Sequence, residues 1–184
     1  MHVVDKALSG LLVIEPNVFN DARGLFFESF NNNLFNEILG EEIFFQQDNH
    51  SVSNNNVIRG LHLQAPPFEQ GKLVRVAQGK VYDVAVDIRI GSPTYGKFFG
   101  LELSSTNNLM LWIPKGFAHG FSVMENNTVF LYKCTNLYNK NSELTILHND
   151  VELEIDWKVS SPIVSEKDRE GTKFNDFKSP FNFQ

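Results

Sequence analysis

The run Arg59-Gly60-Leu61-His62-Leu63-Gln64, followed closely by Gln70-Gly71-Lys72, sets a titratable imidazole in a strand-like segment between two fixed cations. A base beside positive charge suits removal of a proton from carbon, because the cation favours the anion that forms. On a two-residue period Gly60, His62 and Gln64 share one face of the strand, while Arg59, Leu61 and Leu63 share the other. The imidazole and the carboxamide then point together, opposite an apolar stripe, where a β-scaffold can hold a polar pocket. Lys72 follows within the reach of a hairpin, and its ammonium beside a ketone oxygen would stabilise a developing enolate. Each also has a plainer reading: a histidine hydrogen-bonded inside a barrel, and an ordinary surface lysine.

A second cluster lies at 114–121, Pro-Lys-Gly-Phe-Ala-His-Gly-Phe, where Pro114 and Gly116 shape a turn and His119 sits among small residues. Its Pro-x-Gly-x-x-His pattern resembles the second motif of cupins, whose histidine joins a His-x-His pair and a downstream Glu around a metal. Here His62 and Glu69 keep the spacing, but Gln64 stands for the second histidine and removes a good ligand. A metal centre of His62, Glu69 and His119 remains the competing reading. Tyr132 would supply a phenolic proton if its strand aims it into the cavity and a cation steadies the phenolate; otherwise it is packing. Tyr138 is either a stacking platform for a planar ring or an ordinary exposed aromatic.

Ser165-Glu166-Lys167-Asp168 fits the Ser-x-x-Asp start of a helix. The functional alternative is that Asp168 reaches a histidine ring nitrogen, fixing its tautomer and stabilising the imidazolium. Asp21-Ala22-Arg23-Gly24 and Gln47-Asp48-Asn49-His50, with Arg59, gather donors suited to phosphate oxygens and to the edge of a base. Together they describe a nucleotide-diphosphate site built without a Walker loop or a Gly-x-Gly-x-x-Gly turn.

The elements that must position these groups are short strands. Apolar or alternating segments recur at 11–15, 24–30, 43–47, 57–64, 72–77, 81–90, 98–103, 109–114, 121–124 and 128–135, between Gly, Asn and Pro punctuation. That spacing predicts an all-β sandwich or barrel with small helical additions. The one persuasive helix is 31–39, with Leu34, Phe35, Ile38 and Leu39 on one stripe and Gly40 as its stop. In 81–89, Tyr82, Val84, Val86 and Ile88 form an apolar face, and Asp83, Asp87 and Arg89 face either solvent or a polar cavity. From Glu166 onward, charges mix with Phe174, Phe177, Phe181 and Phe183, the pattern of an arm packed on the body.

At 184 residues, 42% apolar with 17 Phe, the chain fits one domain with a sizeable core. A net charge of −6 provides no basic field for nucleic acid. No stretch approaches membrane-spanning length and the opening Met1-His2-Val3-Val4-Asp5-Lys6 has no leader pattern, so the expected compartment is the cytoplasm. The single Cys134 reads as a small buried filler.

Taken in order, Glu15-Pro16, Asp21-Ala22-Arg23-Gly24, Phe27-Glu28-Ser29-Phe30, Gln47-Asp48-Asn49-His50-Ser51, Arg59-Gly60-Leu61-His62 and Gln70-Gly71-Lys72-Leu73-Val74-Arg75-Val76 closely resemble the dTDP-4-dehydrorhamnose 3,5-epimerase family. Asp83-Val84-Ala85-Val86-Asp87, Gly91-Ser92-Pro93-Thr94, the 114–121 run, Tyr132-Lys133-Cys134-Thr135 and Ser165-Glu166-Lys167-Asp168 continue the match in register. The resemblance implies a cupin-type jelly roll over 1–184, with 169–184 as a C-terminal arm, forming a homodimer that needs no metal or organic cofactor. It implies His62 as the base, assisted by Asp168, Tyr132 as the acid on the opposite face, and Lys72 and His119 near the keto oxygen. It further implies that Arg23, Glu28, Gln47, Asp48, Asn49 and Arg59 hold nucleotide and diphosphate, that Tyr138 stacks on thymine, and that Glu143 and Lys167 are peripheral contacts. In such dimers the N-terminal strands cross over, so that Arg23 and Glu28 serve the neighbouring site. The implied reaction inverts carbons 3 and 5 of dTDP-4-dehydro-6-deoxy-D-glucose on the route to dTDP-L-rhamnose, which serves cell-surface polysaccharide. Leu63 and Thr135-Asn136-Leu137-Tyr138 depart from an aromatic after the histidine and from Thr-Asp-Tyr-Tyr, which alters the pocket's walls and leaves open a related sugar, another nucleotide or inversion at carbon 3 alone; a non-catalytic nucleotide-sugar binder is a separate competing class.

Overall fold

The computed structural model describes residues 1–183. Its strands run β1 (His2–Ala7), β2 (Leu11–Glu15), β3 (Val18–Asp21), β4 (Gly24–Phe27), β5 (Gln47–Ser53), β6 (Val57–Gln64) and β7 (Lys72–Gln78). Then come β8 (Lys80–Asp87), β9 (Phe98–Ser104), β10 (Met110–Ile113), β11 (Phe117–Val123), β12 (Thr128–Cys134), β13 (Glu143–Thr145) and β14 (Ile163–Val164), with helices α1 (Asn32–Leu39) and α2 (Glu166–Arg169). One sheet has the order β1-β2-β10-β7-β12-β5; the facing sheet runs β13-β6-β11-β8-β9, with β14 parallel beside β6. This is a jelly-roll β-sandwich, and β3–β4 is a separate hairpin.

Alternation along the strands divides the apolar residues into three layers. Between the sheets lie Val74 and Val76 of β7, Val81 and Ala85 of β8, Phe121 of β11 and Phe130 of β12. The outer side of the second sheet buries Ile58, Leu61, Leu63, Val84 and Val86 beneath Leu153, Trp157, Phe177 and Phe181 from the C-terminal part of the chain. The outer side of the first sheet buries Ile14, Leu73, Met110 and Trp112 beneath Phe35 of α1. Asn31 caps α1 by accepting from the Asn33 and Leu34 N–H groups, so Phe35 meets Trp112 with ring centroids 5.3 Å apart.

The arrangement corrects several expected boundaries. The strand expected at 43–47 begins at Gln47 and continues to Ser53, where polar residues hide the pattern. That expected at 24–30 ends at Phe27, and β11 starts at Phe117, leaving only the first residues of the 114–121 run as a turn. The edge strand β1 carries too few apolar residues to announce itself. Leu34, placed on the buried stripe of the helix, is exposed. Among the described residues no helix is long and apolar enough to cross a membrane.

The largest correction concerns β6. Ile58 shares the outer apolar layer with Leu61 and Leu63, although an unbroken strand would put Ile58 on the other face. The register against β11 shifts between His119, opposite His62, and Phe121, opposite Arg59. Gly60 and Leu61 together face Gly120, the pattern of a β-bulge. Both glycines are required: Gly60 has φ +129°, and a Cβ there would lie 2.5 Å from the Gly120 Cα. The bulge returns Arg59 to the side of His62 and Gln64.

Candidate active site

His62 stands on β6 between His119 of β11 and Thr145 of β13. Its Nε2 lies 2.6 Å from Asp168 Oδ1, bringing together two residues far apart in sequence. Asp168 is buried, and its Oδ2 accepts the Gly60 N–H at 3.2 Å, so the bulge also steadies the carboxylate. Burial pushes the Asp168 carboxyl up, but the hydrogen bond and charge of His62 and the Gly60 N–H outweigh it and hold the group below the usual range. With Asp168 ionised, His62 donates through Nε2–H and keeps Nδ1 as the free basic nitrogen. The Ser165 hydroxyl accepts the Asp168 N–H at 3.2 Å. Both readings of Ser-x-x-Asp thus hold together: the hydroxyl caps α2 and leaves the carboxylate free for His62.

The first sheet supplies the facing wall. Lys72 of β7 pairs in register with Cys134 of β12, and Tyr132 lies one alternate position back on the same face. Lys72 is 9% exposed, and burial pulls its ammonium below the ordinary value, partly offset by Cys134, Asp83 and Glu143. Burial pushes the Tyr132 phenol up, with Cys134 and Glu143 adding to this and Arg59 opposing it. His119 Nε2 lies 3.0 and 2.9 Å from the two oxygens of Asp83, which is wholly buried. Burial lowers the His119 pKa against the pull of Asp83, and Lys72 and His62 act on the same ring. The Asp83 face of β8 is therefore neither solvent nor an open cavity: it packs between the sheets with Val81 and Ala85, and Asp83 is buried there against His119.

A surface cavity of about 320 Å³ at His62 is lined by Arg59, Ser165, Lys167 and Asp168. Around its rim the Tyr138 hydroxyl donates to Glu143 Oε2 at 3.1 Å, and Lys167 Nζ donates to Glu143 Oε1 at 2.8 Å. Gln47 accepts the Tyr138 N–H at 2.8 Å and donates to Asn49 at 3.0 Å. Gln64 accepts the Asn139 N–H at 2.9 Å, so the residue standing for a second histidine fastens the loop that carries Tyr138. Arg59 Nε donates to Ser53 at 3.2 Å and so spans the two sheets.

Three expected binding residues lie elsewhere in this chain. Asp48 is on the face of β5 opposite Gln47 and Asn49, bonded to Lys133 Nζ at 3.0 Å, because neighbouring strand residues alternate. Arg23 sits exposed at the tip of the β3–β4 hairpin with Asp21, and Glu28 follows that hairpin, also exposed. Among the described residues no three His, Cys, Asp or Glu side chains gather as metal ligands. Glu69 of the competing metal set instead faces Lys115, 3.9 Å away.

The model of the dTDP-4-dehydrorhamnose 3,5-epimerase family matches residues 5–176. A dTDP-4-dehydrorhamnose 3,5-epimerase of Shigella flexneri is 50% identical over 176 residues, covering 96% of this chain and 97% of that protein. The crystal structure of the enzyme of the same name from Elizabethkingia anophelis superposes with a TM-score of 0.91 at 48% identity, covering 96% and 97% of the two chains. A Legionella pneumophila dTDP-6-deoxy-D-glucose-3,5-epimerase, solved in complex with dTDP-4-keto-L-rhamnose, superposes with a TM-score of 0.95 at 43% identity, covering 100% and 98%.

Proposed function

The chain belongs to the dTDP-4-dehydrorhamnose 3,5-epimerase family, and from that premise we propose how its residues invert carbons 3 and 5 of dTDP-4-dehydro-6-deoxy-D-glucose to give dTDP-4-dehydro-L-rhamnose. The protons on both carbons are α to one ketone, so a single base, a single acid and one cation serve both centres. His62 Nδ1 removes the proton, and Asp168, 2.6 Å from Nε2, stabilises the imidazolium. Lys72, with His119 held by Asp83, faces the ketone oxygen and stabilises the enolate. Tyr132 returns a proton to the opposite face, and the centre inverts.

The observation that carries this reading is the His62–Asp168 pair at 2.6 Å; Lys72 and Tyr132, on one face of the other sheet, are assigned to the opposite wall. Arg59, Gln47, Asn49, Tyr138, Glu143 and Lys167 are assigned to the nucleotide, diphosphate and sugar at the rim. The chain acts as a single domain with 169–183 as an arm, Gln184 of the expected 169–184 arm lying outside the described residues. It works as a homodimer: the hairpin exposes Phe19, Leu25 and Phe26, β5 is a free sheet edge, and the partner's site receives Arg23 and Glu28. A lone, buried, unpaired Cys134 suits the cytoplasm as its compartment.

The test is incubation with the keto sugar in deuterated water. Deuterium should enter carbons 3 and 5, and His62→Ala should abolish entry at both. Exchange at carbon 3 alone would reduce the activity to a single-centre epimerase, and substrate binding without exchange would make the protein a binder.

A further inference from the structure

The loop that carries Tyr138 is held unlike the rest of the sandwich. It leaves β12 after Cys134 and reaches β13 at Glu143, and among the described residues the backbone groups of Asn136, Leu137 and Tyr138 bond to no other backbone group. Glutamine side chains stand in for the missing ladder. Gln46 Nε2 donates to the Thr135 carbonyl at 3.0 Å, and Gln70 Nε2 donates to the Asn136 carbonyl at 2.8 Å. Gln47 and Gln64 accept the consecutive N–H groups of Tyr138 and Asn139, at 2.8 and 2.9 Å. Gln46 and Gln47 lie at the start of β5 in the first sheet, Gln64 ends β6 in the facing sheet, and Gln70 lies between β6 and β7. The strap is thus tied to both sheets.

The residue type has a physical reason. A carboxamide is neutral and carries both a donor and an acceptor, so it can hold a carbonyl at one point of the strap and an N–H at the next. A carboxylate could not hold the two carbonyls, and its charge would stand beside a diphosphate. Gln64 is buried and Gln70 half-buried, and both lie on the stretch that begins near the base, His62, and ends at the cation, Lys72. Asn136 fastens that stretch in return, its Nδ2 donating to the Pro67 carbonyl at 3.1 Å. We propose that Gln64 and Gln70 are positioning residues for the nucleotide: they hold the 135–139 strap in its binding conformation, so that the Tyr138 ring is in place before the ligand arrives. Ordering the strap in advance removes an entropic cost that binding would otherwise carry.

The inference rests on Tyr138 as the nucleotide's platform in the function proposed above, and its test uses dTDP alone, with no chemical step. Gln64→Met keeps the length of the side chain and loses the acceptor. It should weaken dTDP binding in calorimetry on the order of tenfold, the effect of losing one hydrogen bond to a buried group. KM should rise with it while kcat stays within about threefold, because neither glutamine is assigned to the reacting atoms. Gln70→Met should act in the same direction and more weakly. A positioning role shows as non-additivity: in a Tyr138→Ala background neither substitution should weaken dTDP further. Parent-like affinity in both glutamine variants overturns the proposal, as does a loss that persists undiminished beside Tyr138→Ala, or a Tyr138→Ala variant that binds like the parent. If Gln64→Met fails to fold, the cycle of Gln70→Met with Tyr138→Ala decides. A parent protein that does not bind dTDP removes the nucleotide reading itself, whereas a parent that binds it and variants that match it sink only this inference.

Discussion

At the scale of the residue, the proposed acid and the proposed cation can be separated experimentally. Tyr132→Phe removes the phenolic proton and leaves the His62–Asp168 pair intact. Proton removal and return on the base's own face should continue, so deuterium still enters the sugar while net inversion falls by about 10²- to 10⁴-fold. Loss of both signals together would remove the acid role from Tyr132. Lys72 is tuned by burial, which pulls its ammonium below the ordinary 10.5. A group with a lowered pKa loses its charge sooner as pH rises, so kcat should fall on the alkaline side earlier than a free lysine would allow. Lys72→Arg, which stays charged, should lose that limb even if its kcat is lower; an unchanged limb would assign it to another group.

At the scale of the element, the bulge joining β6 to β11 is the device on which the site depends. Gly60→Ala would drive a methyl group against Gly120 at a φ that disfavours any side chain. It should cost about 1–3 kcal/mol in urea unfolding and lower kcat by turning Arg59 away from the face of His62 and by pulling the Gly60 N–H off Asp168. A variant as stable and active as the parent would show that the strand can run straight. This bulge also marks where legibility in the sequence stopped. Alternation revealed the sandwich, the α1 helix and the shared face of His62 and Gln64, because apolar residues repeat with the local period. It misplaced Arg59, because a bulge is a register event between two strands and leaves no trace in either pattern alone. Asp83 went unassigned for a related reason, since its partner His119 lies on another strand. The Ser-x-x-Asp pattern offered Asp168 as a partner for a histidine, but its pairing with His62 was within reach only through the collinear motif order, which carries tertiary information that spacing lacks.

At the scale of the whole molecule, one chain leaves Arg23 and Glu28 exposed and outside the lining of the His62 cavity, and the proposed dimer accounts for them. Phe26→Glu should disrupt a dimer built on the hairpin, visible as a halved mass in analytical ultracentrifugation, and raise KM because the partner's Arg23 no longer reaches the nucleotide. A variant that remains dimeric would move the interface elsewhere. Within each chain the two walls of the site belong to different sheets, and sheets packed face to face stand about 10 Å apart. The gap between base and acid is thus a dimension of the sandwich, set by the core residues that hold the sheets apart. In the proposed mechanism a planar enolate divides that slot like a partition, with one proton carrier on each side. The handedness of the product then follows from which wall carries the base and which the acid, and enlarging or shrinking Phe121 or Phe130, which stack with centroids 4.1 Å apart, is expected to alter stereochemical fidelity without touching a reacting atom.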